Sequence, residues 1–100
     1  MRRAARVDAC QAAIIAAMRQ AGASVQPLHA VGKGCPDLLV GICTNAGRRC
    51  YVVEIKDGSK PPSARKLTPA QVEWHAAWRG GVHVITDVDQ AVAWVQSMMA

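Results

Sequence analysis

Two stretches decide the fold: "GCPDLLVG", residues 34–41, and "YVVEIKDG", residues 51–58. Both are rich in the Val, Leu, Ile and Tyr that fill strands. Both also carry charge where a core strand would have none. Asp37 opens the first apolar run, and Glu54 and Lys56 flank Ile55 in the second. The "TNAG" at 44–47 supplies turn residues between them, so the pair predicts a β-hairpin. Side chains alternate along a strand, which puts Glu54 and Lys56 on one face, roughly 6.5 Å apart along the chain. Tyr51, Val53 and Ile55 then face the core. If Thr44 pairs with Gly47, Leu39 falls opposite Val52, Gly41 opposite Cys50, and Asp37 directly opposite Glu54. Their Cβ atoms would lie about 5 Å apart on one face.

Two opposed carboxylates repel, and a sheet gains nothing by holding them there. Something positive must sit between them. Lys56 in a plain ion pair is one solution. A divalent cation is the other: hard oxygen ligands at this separation suit Mg²⁺ or Mn²⁺, with the Ile55 backbone carbonyl as a further ligand and waters completing the shell.

Outward from the hairpin, residues 6–21 repeat Val7, Cys10, Ile14, Met18 and Ala21 at helical steps, and Gly22 supplies a C-terminal stop. "SVQPLHAV" reads as an edge or irregular strand because of Pro27. "GKG" at 32–34 is a loop; it lacks the glycine spacing and the Ser or Thr of a P-loop. "DGSKPPSARK" is a polar loop. A second helix is strongly written at "LTPAQV": Thr68 as N-cap, Pro69 at the first turn, Gln71 closing a capping box, Leu67 and Val72 as a hydrophobic staple. The glycines at 80 and 81 mark its end. "VHVIT" is a strand, and a terminal helix opens at Thr86 or Asp87. The expected order is α-β-β-β-α-β-α, an α/β fold with a mixed sheet flanked by helices.

One hundred residues suffice for one domain with one core, here residues 1–100. No apolar run approaches a membrane span, and the basic N-terminus leads into a helical pattern and does not read as a signal peptide. A net charge of +5 favours a polyanionic partner. Cys10, Cys35, Cys43 and Cys50 form no CxxC pair and read as buried reduced thiols; the spacing of His29 and Cys35 matches no common zinc pattern.

The pattern Pro36-Asp37 followed by Glu54-Ile55-Lys56 resembles the PD-(D/E)XK nuclease superfamily. With "GKGCPDLLVG", "VVEIKDG" and "KLTPAQVEWHAAW" around it, the chain from about Val7 to Trp94 is similar to the virus-type replication-repair nuclease (VRR-Nuc) domain. That resemblance implies a restriction-endonuclease-like core and a Mg²⁺-dependent phosphodiesterase, with Mn²⁺ able to substitute. It also implies structured DNA such as Holliday junctions as substrate, a homodimer, a role in DNA repair, and a place in the cytoplasm of a bacterial or phage-infected cell. Asp37, Glu54 and the Ile55 carbonyl would hold the metal. Lys56 would orient or activate the attacking water and stabilise developing charge. Gln71 matches a glutamine that positions the lysine or the water, and it is equally well explained as a capping-box residue; both hold only if the helix start abuts the site. The family usually has a glutamate in its first helix near the metal. Asp8 is the acid available here, shorter by a methylene, and it also begins a capping-box pattern.

Lys33, Lys60, Arg65 and Lys66 flank the motif in loops and would contact phosphates, or stand as solvated loop charges. His29, His75 and His83 show no spacing for nucleophilic catalysis and are given structural roles. Trp74 and Trp78 lie one helical turn apart and, with Trp94, belong to the core or to an interface. Two rivals to the junction nuclease stand open: a DNA-binding module that keeps the fold and does not cleave, and a nuclease for ordinary duplex or single strands.

Overall fold

The fold is given by a computed structural model, which describes residues 9–100. Helix α1 spans Ala9–Gln20 and strand β1 Ser24–Pro27. The hairpin is β2 (Leu38–Thr44) and β3 (Gly47–Ile55). A 3₁₀ turn at Pro62–Arg65 precedes α2 (Pro69–Ala77), and β4 (Val82–Ile85) and α3 (Val88–Met99) complete the chain. The order is the one expected.

The sheet runs β1-β2-β3-β4. Its first three strands are antiparallel to their neighbours, and β4 lies parallel to β3. Parallel neighbours need a crossover, and α2 supplies it. The hairpin register is also as expected: Thr44 pairs with Gly47, Gly41 with Cys50, and Leu39 with Val52. Its two-residue turn is held by Thr44, whose Oγ1 accepts from the Ala46 N–H at 3.1 Å and donates to the Gly47 carbonyl at 2.9 Å.

The alternation of β2 sets where the core lies. Leu38, Val40 and Ile42 are buried, whereas Leu39 and Cys43 are exposed. The buried face packs against α1 through Ile14 and Met18, and against α3 through Ala91 and Val95, with Val53 and Ile85 from the neighbouring strands. Each fully buried aliphatic chain of this kind stabilises the fold by about 1.5–3 kcal/mol. Tyr51, His83 and Trp94 form an aromatic cluster beside that core, with ring centroids 5.0–5.6 Å apart.

The opposite face of the sheet is covered only at one end. There Val52, Val53 and Glu54 are buried in succession, so β3 is shut off on both sides. Elsewhere this face is open, and it overturns one expectation: Cys43 and Cys50 are exposed and Cys10 and Cys35 only half-buried, all four without disulfides. Cys43 and Cys50 sit in a strand-like apolar context, but they project from the side that no helix covers. The helix α2 also ends earlier than its glycines suggest, at Ala77. Trp78 turns extended while its N–H still reaches the Trp74 carbonyl, and its ring lies over Gly80, where a Cβ would meet Nε1 at 2.7 Å. Among the described residues, no helix is long and apolar enough to cross a membrane.

Candidate active site

The closed end of the sheet gathers Asp37, Glu54, Lys56 and Gln71. Asp37 lies one residue before the start of β2, where the register carries it opposite Glu54. Its Oδ2 accepts a hydrogen bond from the Ile55 N–H at 2.7 Å. The Asp37 carbonyl accepts from the Leu28 N–H, so the loop after β1 also fixes it. Glu54 is 1% exposed, one of the few charged groups in the interior. Lys56 follows on the same face, its N–H bonded to the Ile85 carbonyl of β4.

Gln71 joins these groups. Its Oε1 accepts from the Thr68 N–H at 2.9 Å and from Lys56 Nζ at 2.8 Å. Two donors on one side require the amide oxygen there, which leaves Nε2 to donate to Glu54 Oε2 at 3.1 Å. Thr68 Oγ1 accepts in turn from the Gln71 N–H at 3.2 Å, so the capping box is complete. Both readings of Gln71 therefore hold at once, because the start of α2 abuts the site. Gly34 allows that approach. Its φ is +82°, and a Cβ there would lie 2.3 Å from the Ala70 carbonyl oxygen. The Gly32-Lys33-Gly34 loop, all at positive φ, is thereby pressed against the first turn of α2.

The electrostatics are those of two acids lacking a counter-charge. The Glu54 carboxyl is pushed up to about 8, first by burial, then by a hydrogen bond it donates to Asp37 and by that residue's negative charge; Lys56 pulls the other way. Lys56 does not neutralise the pair by contact, because its ammonium is bonded to Gln71. The ion pair described at the site is His75 Nε2 with Glu54 Oε1, at 3.6 Å. That is beyond hydrogen-bonding range, and both atoms are buried without a partner. A divalent cation suits this donor set: two hard carboxylates, one of them with an orphaned buried oxygen. As the side chains stand, no three His, Cys, Asp or Glu among the described residues surround a common point. Asp37 and Glu54 are turned toward each other instead.

The loop cations singled out from sequence are for the most part exposed. Lys33 is exposed in the Gly32–Gly34 loop. Lys60 and Lys66 are exposed between β3 and α2, and Arg65 is half-buried on the 3₁₀ turn. Asp8 lies outside the described residues. Two neighbours escaped the sequence reading. Cys35 is close enough to both carboxylates for them to help burial push its thiol up. His75 sits one turn after Gln71 on α2, and that i, i+4 spacing was the available signal. His29 is exposed in the turn after β1, and His83 lies within the aromatic cluster. Trp74 and Trp78 stack at 4.8 Å, and Trp78 is 47% exposed.

No family model and no curated protein matches the sequence. A solved structure described as a VRR_NUC domain does match the fold, with a TM-score of 0.58 and 25% sequence identity over 86% of this chain and 89% of that one. Element order, mixed sheet and near-complete overlap agree with the motifs at residues 36–37 and 54–56: the chain folds as a VRR-Nuc domain, the restriction-endonuclease-like nuclease-domain family its sequence resembles.

Proposed function

We propose that the protein is a Mg²⁺-dependent endodeoxyribonuclease that cuts branched, Holliday-junction-like DNA. The observation that carries the reading is the opposed pair Asp37 and Glu54, linked through Gln71 to Lys56. Asp37, Glu54 and the Ile55 carbonyl would hold the cation, with Mn²⁺ able to take its place. When bound, that ion supplies Lewis-acid stabilisation of charge on the phosphate and a more acidic water. Burial of Glu54 keeps the site dry and strengthens every charge in it. Lys56, its ammonium aimed by the Gln71 carbonyl oxygen, orients the attacking water and counters negative charge growing at phosphorus. Gln71 holds Glu54 and Lys56 at fixed separation, so one amide sets the spacing of both. Lys33, Lys60, Arg65 and Lys66 would grip phosphates, which gives affinity without sequence choice.

Resolution of a four-way junction needs two cuts, and the described residues of one chain hold one such centre, so a homodimer is part of the proposal. The exposed Trp78, stacked on Trp74, is the aromatic surface best suited to an interface. The test is to incubate purified protein with labelled junction, flap, duplex and single-stranded DNA, with Mg²⁺ and with EDTA, and to measure its mass by sedimentation. Metal-dependent paired incision of the junction by a dimer is the expected result. Binding without cleavage in Mg²⁺ and in Mn²⁺ would replace it with a non-cleaving module. A monomer that nicks one strand would remove the junction reading and leave the nuclease.

A further inference from the structure

Among the described residues Lys33 is the one non-glycine at positive φ, at +58°, and it stands between Gly32 at +70° and Gly34 at +82°. The Cys35 N–H donates to the Gly32 carbonyl at 3.1 Å. Lys33 and Gly34 are therefore the two central residues of a tight turn, both left-handed as in a type I′ turn. Such a turn favours Asn-Gly or Gly-Gly, because a long side chain gains nothing locally from the left-handed region. A lysine there lowers the stability of the fold, so its presence asks for a role outside the fold.

The turn is fixed relative to the reacting groups. The loop that carries it is closed at its base by the Leu28 N–H on the Asp37 carbonyl at 2.7 Å. The Gly34 backbone lies against the Ala70 carbonyl and the Gln71 N–H in the first turn of α2, and the Gln71 amide holds both Lys56 and Glu54. Cys35, two residues after Lys33, lies near both carboxylates: burial pushes its thiol up, and Glu54 and Asp37 add to the effect. The Lys33 side chain is itself exposed, and among the described residues no carboxylate forms an ion pair with it.

We propose that Lys33 grips the phosphate next to the scissile one on the cut strand, and that its left-handed turn is kept for this purpose against the interest of stability. The proposal rests on the nuclease reading. It sets Lys33 apart from Lys60, Arg65 and Lys66, whose assigned contacts add affinity alone. The scissile phosphate belongs to the buried carboxylates and Lys56, so an exposed ammonium at the rim meets the strand where it leaves them. Fixed against Gln71, that ammonium sets the register of the strand over Asp37 and Glu54, and the reacting phosphate arrives placed for attack.

The full chain with Mg²⁺ is given branched DNAs in which one phosphate at a time near the cut is a neutral methylphosphonate, and single-turnover rates are read. At one linkage beside the cut the wild type should slow about tenfold or more. Lys33→Ala should be about that slow on ordinary DNA and lose less than about threefold further at the same linkage, because a single contact is then removed twice. Lys33→Arg should keep most of the rate. Lys33→Asn should be as slow as Lys33→Ala yet melt about 2–6 °C above the wild type, since asparagine tolerates the left-handed region. A folding defect would then not explain the loss. Losses that multiply at every linkage overturn the proposal and leave the nuclease standing. A Lys33→Ala protein whose saturated rate equals that of the wild type overturns it too. A Lys33→Asn protein that melts no higher than the wild type overturns the claim that the turn is kept against stability. A wild type that cuts none of these DNAs, the ordinary one included, overturns the nuclease reading itself.

Discussion

Glu54 should make the metal-free protein lose stability as pH rises. Its carboxyl moves from an ordinary 4.5 to about 8 in the folded chain. Between those values the native state holds a proton that the unfolded chain has released. The contribution is therefore fully present below about 4.5 and is lost as pH climbs through about 8. At 1.36 kcal/mol per pH unit the full displacement is worth about 5 kcal/mol, of which roughly 3–4 kcal/mol falls between pH 5 and 8. That is a large fraction of the roughly 5–15 kcal/mol that holds a small domain together. Glu54→Gln replaces the protonated carboxyl with an amide of the same shape that never ionises. Urea denaturation of both proteins in EDTA, at steps from pH 5 to 8.5, isolates the effect, because every other titrating group is common to the two. The two stabilities should lie close together at pH 5, and the variant should be ahead by several kcal/mol at pH 8.5. Mg²⁺ or Mn²⁺ should restore the wild type alone. A difference that stays flat across this range would refute the claim that Glu54 is buried against Asp37 without a counter-ion.

The remaining predictions separate fold from chemistry. Asp37→Ala, Glu54→Ala and Lys56→Ala should each abolish cleavage, and only Lys56→Ala should still bind metal in calorimetry, because its ammonium is not a ligand. Thr68→Ala should cost about 1 kcal/mol through the lost cap, measured by denaturation, and leave most of the cleavage rate. Gln71→Ala should cost a similar amount and lose cleavage as well, since it also cuts the link between Lys56 and Glu54. Gly34→Ala should destabilise by about 2 kcal/mol or more, because it combines a strained φ with a Cβ against the backbone of α2. Gly32→Ala, at a φ of +70° but with open space around it, should be milder in the same thermal melts.

The hairpin and its register were legible because a two-residue turn leaves no freedom: once Thr44 meets Gly47, Asp37 must face Glu54. The start of α2 was legible for a similar reason, since Thr68, Pro69 and Gln71 are local signals that act within one turn. What alternation cannot say is whether a given face of a sheet has a cover. Cys43 and Cys50 were therefore expected inside and are exposed. The end of α2 was misplaced because the stacking of Trp78 on Trp74, not the glycines, governs where the chain turns away. His75 was passed over because helical spacing puts it beside Gln71 but says nothing about what that face meets. Its distance to Glu54 depends on how α2 docks, which is settled by the close approach of Gly34 to Ala70 and by no feature of the helix itself.

That docking is unusual in one respect: α2 has no buried residue. Most helices are fastened by an apolar stripe sunk into a core, and their attachment is indifferent to what happens at a distant polar group. Here the fastening is made by the Gln71 amide, by His75 facing Glu54, and by the backbone contact at Gly34. Two of these three belong to the reacting centre. The helix should therefore behave as a clasp whose closure and whose chemistry are a single event. Its amides should exchange with solvent faster than those of α1 and α3 in the metal-free protein and slow when a cation is bound. The 61–68 segment leading into it should then resist proteolysis in step with metal occupancy.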